Sequence, residues 1–363
     1  MKKIISFFVL AIILSCEPEE QVSSVVLPTE LTSSYTINEN LLEIQASANG
    51  ANFYSFVFYD GDDSTYIESV DGSAAYSYTN TGNYVIKTKA HSTHYDFIEL
   101  IESIEITDVG YTGGIPTTGY TTPDSYPGYT LVWNDEFNGN SLSSDWVYDI
   151  GNGSWGWGNN ELQFYKEENA VVADGLLKIT AKQESFGGSN YTSSRVKTQG
   201  IKSFQYGRVD VRAAIPFGQG YWPAIWMLGD DIGSVGWPSC GEIDIMELIG
   251  GGAFNDRTSY GTIHWDDNGS HASYGNGNSL SPGSLFAEEF HVFSIIWDSN
   301  TITFLRDDIQ YHQADITPSG LSEFHNNFFF ILNVAIGGNW PGSPNETTLF
   351  PQTMAVDYIR VFQ

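Results

Sequence analysis

The sequence predicts an all-β chain of two parts, a small β-sandwich followed by a larger β-jelly-roll sandwich, and three observations carry that expectation. From about residue 128 to 363 no long amphipathic helix can be drawn, and short β-patterned runs recur instead. From about 28 to 108, apolar and polar residues alternate between Gly, Asp and Asn turns. All ten Trp lie after residue 132, so the composition changes sharply between the parts.

At the N-terminus, MKK precedes the apolar run IISFFVLAIIL and then Ser15-Cys16. A basic start, a short apolar core and a small residue before a break describe a secretory signal, residues 1–15. The run is too short for a membrane span. Cys16 at the break resembles the lipidation site of a bacterial lipoprotein. The Glu17-Pro18-Glu19-Glu20 tract that follows resembles a surface-export tag, so an outer-membrane lipoprotein exposed at the surface of a Gram-negative cell is expected, with residues 16–27 as a tether. With Cys16 lipidated, only Cys240 remains and no intramolecular disulfide can form.

Residues 28–108 contain NFYSFVFYDGDDSTY, AAYSYTNTGNYVIKTKA and FIELIESIEIT. Their short alternating strands suggest a sandwich. The second stretch resembles the later strands of PKD-like, immunoglobulin-type domains. Asp60-Gly61-Asp62-Asp63 reads as a hairpin turn ahead of a metal loop. Residues 109–127, rich in Gly, Pro, Thr and Tyr without apolar periodicity, read as a linker.

From 128 onward the β runs are LLKITA, YGRVDVRAAI, WPAIWML, GEIDIME, HVFSIIW, TITFLR, FFFILNVAI and AVDYIRVF. The last is expected to close a sheet against LVWNDEF. In GEIDIMELIG, Glu242 and Asp244 share one strand face, whereas Glu247 falls out of phase. A β-bulge at Ile245-Met246 restores it to the acidic face. Three close carboxylates repel, so at least one proton is held above the ordinary range, as an acid/base pair requires. Trp222, Trp226, Trp237 and Trp340 sit beside Gly or Pro turns and are expected in a cleft as sugar-stacking platforms; Trp133, Trp146 and Trp297 are expected in the core.

Lys+Arg number 15 against 44 Asp+Glu, a net charge of -29, which disfavours nucleic acid and polyanionic substrates. A neutral polysaccharide is indifferent to that charge. Aromatic platforms with two working acids point to glycoside hydrolysis; in a retaining enzyme the acids stand about 5–5.5 Å apart.

An ordered set of segments carries a more specific likeness: LVWNDEFNG (131–139), WGWGNNELQFY (155–165), DGLLKITA (174–181), YTSSRVKTQG (191–200), YGRVDVRAAIP (206–216), GYWPAIWML (220–228), GWPSCGEIDIME (236–247), GTIH (261–264) and LNVAIGGNWPG (332–342). With these, residues 128–363 resemble glycoside hydrolase family 16, in particular its laminarinase-like endo-β-1,3-glucanases. The resemblance implies a jelly-roll with Glu242 as nucleophile, Glu247 as general acid/base and Asp244 between them. Arg195, Asn159 (or Asn160), Glu161 and His264 match positions near the central subsites. It also implies a structural calcium away from the cleft, held by backbone carbonyls of Glu136 and Gly175 and the Asp357 carboxylate, and no cofactor for catalysis. The expected partner is neutral β-glucan, with the membrane met only through the N-terminal lipid and the chain acting as a monomer. Mixed-linkage β-1,3/1,4-glucan or agarose hydrolysis is the alternative; a non-catalytic glucan-binding protein is disfavoured because all three acids are present. The chain departs from the pattern at Asp266 and Asp267, where the polar run to Asn278 is expected to form a long loop.

Overall fold

A computed structural model describes residues 25–38, 41–60, 63–78, 82–106 and 114–363. The expected leader, Cys16 and most of the tether lie outside the described residues, as do Gly61 and Asp62 of the acidic turn. The chain divides into two units, residues 1–110 and 111–363.

The first unit carries a three-stranded sheet (Thr29–Asn38, Leu41–Asn49, Ser73–Ser77) and a four-stranded one ordered Asp63–Ser69, Phe53–Asp60, Gly82–His91, Phe97–Ile106. The period of two is plain in Leu41–Asn49, where Leu42, Ile44 and Ala46 are buried and Glu43, Gln45 and Ser47 are exposed. Those three pack with Phe56, Phe58, Tyr78, Ile86 and Ile104 in one apolar cluster.

The second unit is two large antiparallel sheets. One runs Ala170–Ala173, Leu176–Ala181, Gln352–Phe362, Gly207–Ala214, His291–Trp297, Thr301–Arg306, Ile309–Asp315, and Leu131–Asp135 pairs with Gln352–Phe362 as its eighth strand. The other runs Ser270–Ser279, Thr258–Asp267, Glu242–Glu247, Tyr221–Gly229, Phe328–Ile336, Arg195–Lys197, Val147–Asp149. One apolar cluster joins them, with Leu177, Val211 and Val356 from the first sheet and Ile225, Ile243, Phe330 and Leu332 from the second. Trp133, Trp146 and Trp297 belong to it, as expected. The helices among the described residues are short, the two α-helical segments having four residues each.

Two expectations are corrected. The stretch read as a linker is strapped to the eight-stranded sheet over much of its length. Gly119 forms a bridge with Phe290, and a Cβ on Gly119 would stand 2.1 Å from the Phe290 carbonyl oxygen. The Thr122 hydroxyl bonds the Tyr358 hydroxyl at 2.8 Å. Tyr126 donates its hydroxyl to Asp210 at 2.7 Å; the same fully buried carboxylate also accepts from Arg208 Nε and Ser294 Oγ. The strap is held by polar contacts to the sheet's outer face, so it leaves no apolar period to read.

The polar run expected as a loop is a ten-residue edge strand, Ser270–Ser279, paired along its length with Thr258–Asp267. Asn268 and Gly269, both at positive φ, make the two-residue hairpin turn. An edge strand open to solvent needs no apolar alternation, which is why this one looked like a loop.

Candidate active site

The carboxylate row stands on Glu242–Glu247, third strand of the seven-stranded sheet. Against Tyr221–Gly229, Asp244 pairs with Trp226 and Met246 with Ile225, so Ile245 is extra; against Thr258–Asp267, Asp244 pairs with Thr262 and Glu247 with Tyr260. This is the expected bulge. It sends both Ile245 and Met246 into the core, which successive residues of a regular strand cannot do. Glu247 thereby returns to the face of Glu242 and Asp244.

Indole N–H groups fix the two outer acids. Trp237 Nε1 donates to Glu242 Oε2 and Trp222 Nε1 to Glu247 Oε1, each at 2.9 Å. Asp244, 2% exposed, shares a hydrogen bond with Glu242, and His264 Nε2 lies 3.0 Å from its Oδ2. Burial is the main force on all three carboxyls. It pushes Glu242 up to about 8, helped by the charge of Asp244, and Glu247 up to about 7, helped by Glu242. Asp244 is held well above the carboxylate range by burial and then by Glu247. At neutral pH the row therefore keeps protons that ordinary carboxyls would have lost.

A second cluster lies across the sheet. Arg195 pairs in register with Asn333, and its guanidinium lies over both Trp226, at 4.8 Å, and Trp157, at 5.0 Å. Asp149 anchors it from the neighbouring strand, 3.1 Å from Nε. Trp226 donates Nε1–H to Asn333 at 2.7 Å, so part of its ring is committed to the protein itself. Glu161 accepts from Asn159, Gln163 and Tyr165, and burial raises its pKa. Asn160 instead donates to Asn339, on the loop that carries Trp340. Asn159 is thus the residue that joins the Arg195–Glu161 cluster. Trp340 meets Trp222 edge to face at 5.8 Å and Tyr260 at 5.2 Å. Trp237 is half-exposed and Trp340 nearly so, leaving ring faces open to a ligand.

Asn333, Asp149, Trp157, Tyr260 and His271 were not singled out from the sequence. Asn333 could have been, as the one polar residue in FFFILNVAI, all nine of which are buried. Asp149, Tyr260 and His271 reach the site through strand pairing, and Trp157 through the short helical turn Gly156–Asn160.

For calcium, β-pairing of Leu177 with Val356 and of Asp135 with Ile359 brings Gly175 and Glu136 to the same flank of the strand bearing Asp357, the other flank being taken by Gly207–Ala214. The side chains are already engaged: Arg360 holds the Glu136 carboxylate with two bonds, and Arg212 Nη1 lies 2.7 Å from Asp357 Oδ2. The donor set fits a cation only through backbone oxygens and the second oxygen of Asp357.

The sequence profile described as Glycosyl hydrolases family 16 matches residues 157–360. The alpha subunit of clotting factor G from Tachypleus tridentatus is 45% identical over 240 residues, 65% of this chain and 34% of that protein, so the chain spans about a third of that relative. The beta-glucanase of Rhodothermus marinus is 38% identical over 265 residues, 69% of this chain and 91% of the relative. Among solved structures, the catalytic domain of an endo-1,3-beta-glucanase (laminarinase) from Thermotoga petrophila RKU-1 aligns with a TM-score of 0.60 at 44% identity, covering 65% of this chain and 98% of that one. With a profile match over more than half its length, and the bulged carboxylate row on the face of a jelly-roll sheet, this chain belongs to glycosyl hydrolases family 16.

Proposed function

We propose that this chain is a retaining endo-hydrolase of β-1,3-glucan in which Glu242 is the nucleophile, Glu247 the general acid/base and Asp244 the group that sets the proton balance between them. The observation that carries it is the bulged row, with each outer acid bonded to an indole N–H.

Asp244 is the most buried of the three, and burial followed by the charge of Glu247 holds its carboxyl well above the usual carboxylate range. When the proton shared by Glu242 and Asp244 rests on Asp244, the charge that lifts Glu242 is gone and Glu242 is the ionised nucleophile. Glu242 attacks the anomeric carbon while Glu247 gives its proton to the glycosidic oxygen; the C–O bond to the leaving sugar breaks as the glycosyl ester forms. Glu247, now ionised, takes a proton from water, whose oxygen attacks the same carbon and releases Glu242. Two inversions leave the configuration retained.

Product profiles on laminarin, mixed-linkage β-1,3/1,4-glucan and agarose test the substrate, and NMR of the first-formed anomer tests retention. Cleavage of laminarin to β-anomeric oligosaccharides is expected. Exclusive action on agarose, or an α-anomer formed first, overturns the assignment.

Beyond the reaction, the leader-like N-terminus and Cys16 support export and lipidation, with the first unit as a spacer and the chain working as a monomer. Radiolabelled palmitate incorporation lost in Cys16→Ala tests the anchor. A structural calcium at Glu136, Gly175 and Asp357 rests on the backbone register; chelator lowering the melting temperature of wild type, but not of Asp357→Ala, is the expected sign.

A further inference from the structure

His271 stands on the edge strand Ser270–Ser279, which sequence patterning left as a loop. Its Nε2 is 2.8 Å from His264 Nδ1, the ring planes lie within 16°, and the ring centres are 5.0 Å apart. That combination describes two imidazoles meeting edge to edge through one hydrogen bond, not lying face on face. On its other side His271 lies 4.7 Å from the Trp237 ring. It therefore touches both groups that reach the lower half of the acid row: His264, at Asp244, and Trp237, at Glu242.

Only one proton fits between His264 Nδ1 and His271 Nε2. If it belongs to His271, His264 is left with its proton on Nε2, pointing at Asp244 Oδ2, a buried oxygen otherwise lacking a hydrogen-bond donor among the described residues. The opposite tautomer would set a bare nitrogen against that oxygen. Burial, and then His264, hold His271 below the ordinary histidine range, in keeping with a neutral His271 that donates one proton to its neighbour. The other titratable groups facing the pair are Glu242 and Glu247 along the row and Asp266. Asp266 is directly opposite His271 and accepts the Gly269 N–H at 3.2 Å.

We infer that His271 is a positioning residue for the reaction, fixing the neutral Nε2–H tautomer of His264 and through it the hydrogen bond to Asp244. This rests on the reading of Glu242, Asp244 and Glu247 as the working acids. Without His271, His264 Nδ1 opens to water and can take a proton. A positive charge on His264 favours ionised Glu247, and Glu247 then loses its catalytic proton at lower pH.

The experiment pairs histidine 15N NMR of the full chain with kcat–pH profiles of wild type, His271→Ala and His271→Gln on laminarin. Wild type should show His264 protonated at Nε2 with Nδ1 accepting. His271→Ala should lose that fixed tautomer, lower kcat by roughly fivefold to tenfold, the rate equivalent of one hydrogen bond, and move the alkaline limb to lower pH with KM little changed. His271→Gln, which keeps an N–H donor that does not titrate, should restore most of kcat and the limb. A His264 tautomer unchanged in His271→Ala, or a kcat loss with an unmoved limb and no rescue by Gln, overturns the inference. If wild type cleaves no β-glucan, the functional reading fails, while the NMR arm still decides the role of His271.

Discussion

Replacing Trp222 by Phe keeps the ring but removes the N–H that bonds Glu247 at 2.9 Å. That bond favours ionised Glu247 and so works against the burial that lifts it to about 7. A hydrogen bond to a charged group contributes about 1.5–3 kcal/mol. Water partly replaces it at this partly buried indole, so a net loss near the low end is expected, about one pKa unit. The shift is upward. Because Glu247 must be protonated to begin the cycle, the alkaline limb of kcat should move to higher pH by about one unit. Trp237→Phe makes the matching change at Glu242, through the other 2.9 Å bond. There the ionised form is the working one, so the acid limb should rise instead, and the active range should narrow from below. Both profiles are measured on laminarin from pH 4 to 10, with melting temperature followed in parallel. If Trp222→Phe raises the acid limb and Trp237→Phe the alkaline one, the two glutamates have exchanged roles. If neither limb moves in folded protein, the indoles do not control these protons.

The remaining predictions concern the same row. Glu242→Ser should fold and lose all but a trace of hydrolysis, and turnover within tenfold of wild type refutes the nucleophile assignment. Glu247→Ala should give a burst with an activated aryl β-glucoside and a slow steady state that azide accelerates, forming the β-glycosyl azide; no burst and no rescue count against it. Deleting Met246 removes the bulge and turns Glu247 away from Trp222, so activity should fall by roughly 10²-fold or more, the usual share of acid/base catalysis. Met246→Leu keeps the residue count and should cost under about 1.5 kcal/mol of stability; equal activity in the two variants refutes the phase argument. Glu242 has a folded pKa near 8, raised above the ordinary carboxylate value. Between about pH 4.3, where the unfolded group titrates, and 8, the folded chain therefore binds more protons, and stability falls as pH rises. Glu242→Gln should accordingly melt higher than wild type at pH 8 and show less difference at pH 4, by calorimetry.

Much of this protein was legible before any coordinates. Period-two alternation in Leu41–Asn49 needs no tertiary information, because a half-buried strand must place apolar groups on one face. The out-of-phase Glu247 disclosed the bulge for a similar reason: the count of residues between acids is a property of the chain, and only one local geometry brings the third acid into line. Likewise Trp237 and Trp340, beside Gly and Pro turns, keep exposed rings, and the C-terminal strand pairs with Leu131–Asp135.

The sequence was silent wherever the environment comes from other segments. Ser270–Ser279 is a strand because Thr258–Asp267 supplies its hydrogen bonds, and nothing in SHASYGNGNS shows that pairing. The strap from Gly119 to Tyr126 looked like a linker because its partners, Asp210, Tyr358 and Phe290, are 84 to 236 residues or so away along the chain. His271 became visible only once its hairpin set it against His264 and Trp237. Local sequence decided which way each side chain points along its strand; the two sheets decided what it meets, because desolvation, charge repulsion and hydrogen-bond partners all act through space rather than along the chain.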